Sequence, residues 1–246
     1  MKPLLTLILP CLLSLTAAAQ FDYSKVDGFV AQFEQDYTDA ADLARQLTQP
    51  FDSAQTKARA IFMWLAHNVR YDVDKFRNPP PSPRFHSKAE AAEWQEKELR
   101  KTLKNKKGVC ADYSRLCKQM CDAVGLECEV VSGDARDFYR PYKNIHDNPH
   151  AWNAVKWGGK WHLLDATWGA GYLDGSKFVR RISTGYFDAP PAWFAQNHLP
   201  DDDKWQLLES PVSKKDFPDQ PIVNFGQDEY PLLDFSQKVE REDRQS

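Results

Sequence analysis

KKGVCADYSRLCKQMC, residues 106–121, holds three of the five cysteines of this 246-residue chain. Apolar side chains in and after it recur every three or four residues: Tyr113, Leu116, Cys117, Met120, Cys121 and Val124. This spacing predicts a helix with one buried face. Gly125 predicts where the helix ends. Cys110 directly follows Gly-Val and therefore lies in the first turn of the predicted helix.

The position of Cys110 favours chemistry at its thiol. The helix dipole and the free backbone N–H groups of a first turn stabilise a thiolate and lower its pKa. The same N–H groups can hold the oxyanion that forms on an attacked carbonyl. Position alone leaves a purely structural Cys110 open, because a reactive thiol also needs a partner base.

The other three thiols of the region have a different setting. Cys117 and Cys121 lie on the apolar face of the helix, where cysteine packs as a small hydrophobe. A disulfide from one of them to Cys128 is the second interpretation. A zinc site is a weak third, because the spacing C-x6-C-x3-C-x6-C contains no C-x2-C pair.

HAWNAVKWGGKWHLLDATWG, residues 150–169, predicts two strands joined by a tight turn at Gly158 and Gly159. A two-residue turn pairs Trp157 with Lys160 and fixes the register of the whole hairpin. A three-residue turn would instead shift every later side chain to the other face of the sheet.

The two-residue register predicts a partner base for Cys110. It puts Asp165 opposite Trp152 and Thr167 opposite His150. His150 and Asp165 are then diagonal neighbours on one face, roughly 7–8 Å apart at the backbone. A carboxylate there can hold one imidazole nitrogen and leave the other for a thiol.

The remaining histidines are weaker candidates for the base. We expect His67 on a helix, and His86 and His198 in loops. His162 points away from Asp165 in the predicted register. His146 precedes an aspartate in a polar loop, residues 135–149, and the strand argument prefers His150.

The order of the predicted elements favours an α+β fold. Helical patterns cover 23–49 and 53–71, the second capped by Asp52 or Ser53, and a charged, solvated helix covers 87–104. Residues 72–85 are predicted as a loop. Strand patterns follow from Leu126 onward, so helices come first and an antiparallel sheet second.

The first twenty residues predict a secretory signal. Lys2 precedes the apolar run LLTLILPCLLSL, and small residues follow, with cleavage near Ala19 or Gln20. The run is shorter than the roughly 20 apolar residues of a membrane span, and a single N-terminal anchor is the alternative. We therefore expect a secreted or periplasmic domain at 21–236, with a core at about 55–217 and a disordered tail at 237–246.

Composition restricts the possible partners. Hydrophobic residues make up 42% and aromatic residues 13%, enough for a sizeable core. The formal net charge of −3 favours neither nucleic acid nor an anionic membrane surface as a partner. We expect no stable membrane insertion after cleavage of the signal. The oligomeric state is left open.

Three segments together resemble the transglutaminase-like cysteine enzyme superfamily, with the kyphoscoliosis-peptidase-like branch as the nearest. They are AIFMWLAHNVRYDVD (60–74), KGVCADYSRLCKQMCDAVGLECEVVSG (107–133) and HAWNAVKWGGKWHLLDATWGAG (150–171). The resemblance spans roughly residues 55–217. It implies a papain-like core and a triad in which Cys110 is the nucleophile, His150 the base and Asp165 the orienting acid.

The resemblance implies acyl transfer on a peptide or protein substrate, through a thioester on Cys110. Water as acceptor gives a peptidase or amidase, and an amine gives a transglutaminase. Neither reaction needs a metal or organic cofactor. The chain departs from the family pattern at Ala111 and Asp112, where Gly-Tyr is common. An acidic Asp112 beside the nucleophile can oppose thiolate formation, although helix N-termini tolerate aspartate well.

Two other interpretations remain at this stage. One is a non-catalytic extracellular binding or scaffold module of the same fold. The other is a structural domain whose four mature cysteines are all oxidised. The tryptophans Trp152, Trp161 and Trp168 either line a substrate groove or belong to the core of the hairpin.

Overall fold

The computed structural model describes residues 21–81, 83–137 and 148–222. The predicted signal peptide, the predicted tail, Cys11 and His146 lie outside these ranges. The helices are α1 (Ser24–Ala31), α2 (Ala40–Thr48), α3 (Ala54–Asn68), α4 (Val73–Arg77), α5 (Lys88–Asn105), α6 (Cys110–Ala123), α7 (Ala166–Ala170) and α8 (Pro191–Asn197). The strands are β1 (Arg70–Tyr71), β2 (Lys107–Gly108), β3 (Cys128–Ala135), β4 (Pro149–Trp157), β5 (Lys160–Leu164), β6 (Gly171–Asp174), β7 (Lys177–Arg180) and β8 (His198–Pro200).

The main sheet has four antiparallel strands in the order β5-β4-β3-β8. The early helices α2, α3 and α6 pack together, and α6 lies on β3 and β4. The predicted α+β class, with helices first and an antiparallel sheet second, is confirmed. Small two-stranded pairs, β1–β2 and β6–β7, flank this core.

The apolar face predicted for α6 is the buried one. Five of its six positions are at most 2% exposed: Tyr113, Leu116, Cys117, Met120 and Cys121. Val124 is only half-buried and caps the C-terminal end of the helix. Gly125 adopts a φ of 76°, the left-handed conformation that ends a helix at little cost to glycine.

One local prediction in the first half of the chain is wrong in part. Residues 72–85 were expected as a loop, but Asp72 accepts a hydrogen bond from the Lys75 N–H and starts α4. The charged helix α5 is largely solvated, with Ala89 and Ala92 exposed. Its buried residues, Thr102 and Leu103, lie at the C-terminal end. Ser53, rather than Asp52, caps α3.

A buried guanidinium ties the last described segment to the sheet. Arg136, 3% exposed, follows β3 and donates from Nε to the carbonyl of Gln196 at 2.9 Å. It also donates to the carbonyls of Pro218, at 2.8 Å, and Gln220. Its guanidinium lies 4.9 Å from the centre of the Phe217 ring. The segment after β8 is therefore held by one charged side chain.

Candidate active site

Cys110 is the first residue of α6, as the sequence predicts. Tyr71 in β1 pairs with Gly108 in β2, which leads into the helix. A Cβ on Gly108 would lie 2.7 Å from the Cβ of Asp112, a distance that real Cβ atoms do not tolerate. Glycine there lets Asp112 fold back, and its Oδ2 accepts the Val109 N–H at 2.8 Å. Gly108 and Asp112 together set the start of the helix that carries the thiol.

Asp112, the acidic residue close to the candidate nucleophile, forms an ion pair with Lys75. The Lys75 ammonium lies 3.0 and 2.8 Å from the two carboxylate oxygens of Asp112. Asp112 is 4% exposed, so its charge is buried beside this cation. Lys75 comes from α4, the helix that the sequence did not predict.

His150 and Asp165 lie in direct contact. His150 Nε2 is 2.7 Å from Asp165 Oδ2, and both side chains are buried. Asp165 caps the N-terminus of α7, because its Oδ1 accepts the N–H groups of Thr167 and Trp168 at 2.9 and 3.0 Å. The carboxylate is thus fixed by the backbone on one side and by the imidazole on the other.

The hairpin register that predicted this pair is correct only as far as Leu164, the last residue of β5. Trp157 pairs with Lys160, and the ladder continues to Leu164 opposite Asn153. Beyond Leu164 the chain leaves the sheet and turns into α7. Thr167 is therefore helical and does not lie opposite His150, whose partner is Gly133 in β3.

The Cys110 thiol and the His150 imidazole lie close enough for each to shift the pKa of the other. Because Nε2 contacts Asp165, Nδ1 is the nitrogen left for the thiol. Burial is the largest influence on Cys110 and by itself would raise its pKa. The hydrogen bond and charge of His150, with the N–H of Ala151, outweigh burial, so the pKa of Cys110 lies below that of an ordinary thiol.

The two partners of the thiol are shifted in opposite directions. Burial by itself lowers the pKa of His150, but the charge and hydrogen bond of Asp165, with a smaller contribution from Cys110, raise it to about 10. Burial opposes ionisation of Asp165, yet the two imidazoles around it hold its pKa well below the usual range. These directions favour a thiolate, an imidazolium and a carboxylate at neutral pH.

His198 was expected in a loop, and this expectation is wrong. It begins β8, is 1% exposed, and its Nε2 lies 3.0 Å from Asp165 Oδ2. Burial is the main reason why its pKa falls to about 4, despite the opposing effect of Asp165. His198 is therefore neutral at physiological pH and donates its N–H to the same oxygen that contacts His150.

Gly133 allows His198 to come so close. It lies in β3 between His150 on one side and Pro200 of β8 on the other. A Cβ at this position would lie 2.1 Å from the carbonyl oxygen of Leu199. A side chain on Gly133 would therefore push β8 away from the sheet and His198 away from Asp165.

The group formed by His150, Asp165 and His198 has donor atoms within 4.8 Å of one another, a spacing that a metal ion can use. Its present contacts are hydrogen bonds of 2.7 and 3.0 Å from two imidazoles to a single oxygen. Each imidazole uses its N–H for this contact, so the arrangement is that of an orienting carboxylate with two donors.

A cleft of about 740 Å³ opens beside His150. Much of its lining is aromatic: Tyr71, Phe76, Trp168, Tyr172, Phe178 and Tyr186. Tyr172 and Phe76 are 48% and 42% exposed, two of the few large hydrophobic side chains that face solvent among the described residues. A cleft of this size holds a few residues of an extended peptide.

The three tryptophans near the hairpin have separate places. Trp168 lines the cleft and lies 5.4 Å from His150, measured between ring centres. Trp152 is 1% exposed and belongs to the core. Trp161 packs edge-on against Trp205, with ring centres 5.1 Å apart. Only Trp168 meets the expectation of a groove-lining residue.

His162 provides a comparison within the same molecule. Its Nδ1 lies 2.7 Å from Asp188 Oδ1, the same distance as in the His150–Asp165 pair. It stacks on Trp157. Two histidine–aspartate pairs among the described residues are thus equally close, and the His150 pair is the one beside the Cys110 thiol.

A helix-borne thiol, an imidazole and a carboxylate on this fold define a class of cysteine-dependent acyl-transfer sites. A family model described as the transglutaminase-like superfamily matches residues 41–166. This chain belongs to that superfamily, which contains cysteine peptidases and transglutaminases.

The curated relatives point to the branch that the sequence motifs predicted. The chain is 34% identical over 183 residues to kyphoscoliosis peptidase from Mus musculus, covering 72% of this chain and 25% of the relative. It is 27% identical over 220 residues to Hillarin from Drosophila melanogaster, covering 82% of this chain and 24% of the relative. The chain thus spans about a quarter of the length of these relatives.

Among solved structures, the periplasmic domain of TgpA from Pseudomonas aeruginosa is 18% identical, with a TM-score of 0.38. That likeness covers 58% of this chain and 47% of the other. A structure described as a TGase is also 18% identical, with a TM-score of 0.38, and covers 72% and 40%. The family assignment depends on the sequence match and not on these scores.

Among the described residues, none of the helices has the length and apolar character needed to cross a membrane.

Proposed function

We propose that this chain is an exported cysteine acyl-transfer enzyme that acts on peptide or carboxamide bonds. The observation that supports the proposal is the His150 imidazole, which lies 2.7 Å from the Asp165 carboxylate and lowers the pKa of the nearby Cys110 thiol. An imidazole in this position can take the proton of a nucleophilic thiol while the carboxylate fixes its tautomer.

The proposed reaction has two stages. The Cys110 thiolate attacks the carbonyl carbon, and the negative charge that develops on oxygen is stabilised by N–H groups in the first turn of α6. The C–N bond then breaks as His150 gives its proton to the leaving amine or ammonia, which leaves a thioester on Cys110. Water or a second amine attacks the thioester and releases the thiol.

The nature of the acceptor decides between peptidase and transglutaminase. The cleft beside His150 is open enough to admit a peptide, and its lining mixes aromatic side chains with charged ones such as Arg77 and Asp174. This supports a protein or peptide substrate for either acceptor. We propose hydrolysis as the basal reaction, because water reaches an open cleft without a binding site of its own.

Mass spectrometry of Cys110 tests the proposal. The protein is incubated with a mixed peptide library, with and without an added primary amine. We expect an acyl adduct on Cys110 that disappears in water, and an amide product when the amine is the acceptor. The variants Cys110→Ala and His150→Ala should abolish turnover.

His162→Ala is the matched control, since it removes an equally close histidine–aspartate pair that lies away from Cys110. It should leave adduct formation unchanged. Peptide binding in the cleft without any adduct on Cys110 would instead support a binding or scaffold module.

We also propose export, on the basis of the charged start, apolar run and small residues of positions 1–20. N-terminal sequencing of protein recovered outside the cytoplasm should find a chain that begins close to Phe21. A recovered chain that still begins at Met1 would contradict signal cleavage.

A further inference from the structure

Three cysteines that the proposed mechanism does not use form a second cluster. Cys117 and Cys121 lie one turn apart on the buried face of α6, and Cys128 begins β3, which packs on that face. All three are free thiols, and each is at most 2% exposed. Their sulfur atoms lie within 4.8 Å of one another. We call them the thiol cluster.

The cluster is separate from the candidate active site. Seven residues of helix separate Cys110 from Cys117, a rise of roughly 10 Å at 1.5 Å per residue. Cys110 faces His150 and the hairpin side of the helix start, whereas the cluster lies between α6 and the beginning of β3. Its properties can therefore be measured in a variant without the nucleophile.

The spacing of the sulfurs is closer to that of a metal–thiolate site than to that of a disulfide. Three sulfurs around one ion with metal–sulfur bonds of about 2.3 Å lie about 4 Å from each other. A disulfide brings two sulfurs to about 2 Å. Small shifts of side chains would thus let the cluster enclose one ion without moving the helix or the strand.

The surroundings of the cluster supply one donor to sulfur. The buried amide of Asn153 has its Nδ2 3.5 Å from Cys128 Sγ, so it donates to that sulfur. The Lys118 ammonium lies 2.6 Å from the carbonyl oxygen of Cys128 and is shared with the Asp122 carboxylate at 3.2 Å. Burial opposes negative charge on the free thiols, so a metal ion has to supply the positive charge that three buried thiolates need.

We propose that the thiol cluster is a binding site for one thiophilic metal ion, and that its three-sulfur set selects Cu(I). On binding, three S–H bonds break, three Cu–S bonds form, and three protons leave; no electrons are transferred. Within 21–81, 83–137 and 148–222, no fourth histidine, cysteine or carboxylate completes the group. Zn²⁺ normally takes four ligands, whereas soft thiolates alone suit Cu(I).

Native mass spectrometry of the full chain tests the proposal. The reduced protein is titrated with Cu(I) without oxygen, beside a parallel titration with Zn²⁺. We expect one copper ion per chain, with the loss of three protons and a thiolate-to-copper absorption band in the ultraviolet. Copper should also raise the melting temperature, because the folded chain holds the three sulfurs together and therefore binds the ion more tightly than the unfolded chain does.

Single substitutions locate the site. Cys117→Ala, Cys121→Ala and Cys128→Ala should each lose the absorption band, and Cys110→Ala should retain it with full stoichiometry. Circular dichroism of each variant without metal checks its folding. The copper-dependent rise in the melting temperature of the unaltered chain needs no substitution, so the test survives if a variant does not fold.

Three outcomes would overturn the proposal. One is a chain that retains no copper while all its thiols react with an alkylating agent after unfolding, since the cluster would then be packing alone. Another is a mass lower by two hydrogens before reduction, which would mark a disulfide. The third is tighter retention of Zn²⁺ than of Cu(I).

Discussion

Asp165 is the residue on which the candidate site converges. It accepts four hydrogen bonds: two from backbone N–H groups and two from imidazoles. A fully buried carboxylate with four donors keeps its charge and cannot rotate. His150 is therefore held in one orientation by a group that is itself held from three directions.

His198→Ala should weaken the site without removing any group that touches the substrate. A hydrogen bond to a charged group contributes about 1.5–3 kcal/mol, which corresponds to roughly 10- to 160-fold in rate if it is fully expressed in the transition state. We expect kcat to fall within that range and the pH profile of Cys110 reactivity to shift.

His198→Gln is the matched variant, because its amide can still donate to Asp165 Oδ2. It should recover most of the lost rate and the original pH profile. If His198→Ala loses stability but keeps an unchanged pH profile, His198 is a packing residue and does not position Asp165.

Cys110 should support turnover in a pH window that lies between the lowered pKa of its own thiol and the raised pKa of His150. The thiol reacts as a thiolate, so alkylation should already be fast at a pH below the ordinary thiol pKa. Turnover should fall again as His150 loses its proton at a pH of about 10. Time-resolved alkylation, followed by mass spectrometry of the peptide that contains Cys110, measures the first limb.

In His150→Ala the alkylation profile should move to alkaline pH, because burial then acts on the thiol without the opposing imidazole. An unchanged profile in this variant would mean that the imidazole does not activate the thiol. His162→Ala should keep the original profile.

The sequence predicted Cys110, His150 and Asp165 as site residues, and their catalytic roles stay predictions; it did not predict that His198 joins Asp165. The first three follow from the start of a strongly patterned helix and from a Gly-Gly turn that fixes the hairpin register. His198 lies in a three-residue strand that ends at Pro200. Three residues are too few to show an alternating pattern, so nothing local distinguished this histidine from one in a loop.

At the scale of elements, the start of α6 depends on a cation from another helix. Lys75→Met removes the partner of the buried Asp112 carboxylate. Breaking a buried ion pair costs about 3–5 kcal/mol, and partial exposure of Lys75 reduces this to roughly 1–3 kcal/mol. Denaturant unfolding measures the loss, and Cys110 alkylation should slow as well.

Lys101→Met is the control for this variant. Lys101 is largely exposed and lies 3.9 Å from Glu98, so its loss should cost less than about 0.5 kcal/mol. Equal effects of the two substitutions would contradict the special role of Lys75.

Gly133→Ala should separate β8 from β3. The added methyl group meets the Leu199 carbonyl, and overpacking of this kind costs about 1–3 kcal/mol or more. We expect a lower melting temperature and a loss of Cys110 reactivity similar to that of His198→Ala. Gly28→Ala, in an exposed turn of α1 with open space around its Cα, should instead be neutral or slightly stabilising.

Three short elements escaped prediction from the sequence for the same physical reason. α4, α7 and β8 are three to five residues long, and each is held by contacts with distant parts of the chain. Periodicity needs more residues than that to be visible. The long helix α6 and the paired strands β4 and β5 were predicted well because their own sequences specify them.

For the molecule as a whole, the family is established and the limits of the domain stay predictions. The boundaries at 21–236 and about 55–217, and the signal at 1–20, rest on the sequence alone. The thiol cluster, if loaded, would join α6 to β3 about two helical turns from Cys110. The fold would then place the candidate nucleophile and two of the three metal-binding thiols on one helix.

The aromatic cleft predicts a preference among peptides. Tyr172→Ala removes an exposed ring that lines the cleft. We expect a higher KM for peptides with an apolar or aromatic side chain beside the cleaved bond, by roughly 10-fold for about 1.5 kcal/mol of lost burial. The value of kcat should change little, and a polar peptide series should be unaffected.

The hydrogen bonds from Arg136 to the segment around Phe217 have a consequence for proteolytic cleavage of the chain. Cleavage of the chain between Gln206 and Pro218, with loss of the part that follows, would remove the carbonyls of Pro218 and Gln220. The buried Arg136 guanidinium would then lack these two hydrogen-bond acceptors. The same guanidinium donates a hydrogen bond to the carbonyl of Gln196, which lies two residues before His198. Proteolytic cleavage in this segment would thus loosen the backbone just before His198 and weaken its hydrogen bond to Asp165.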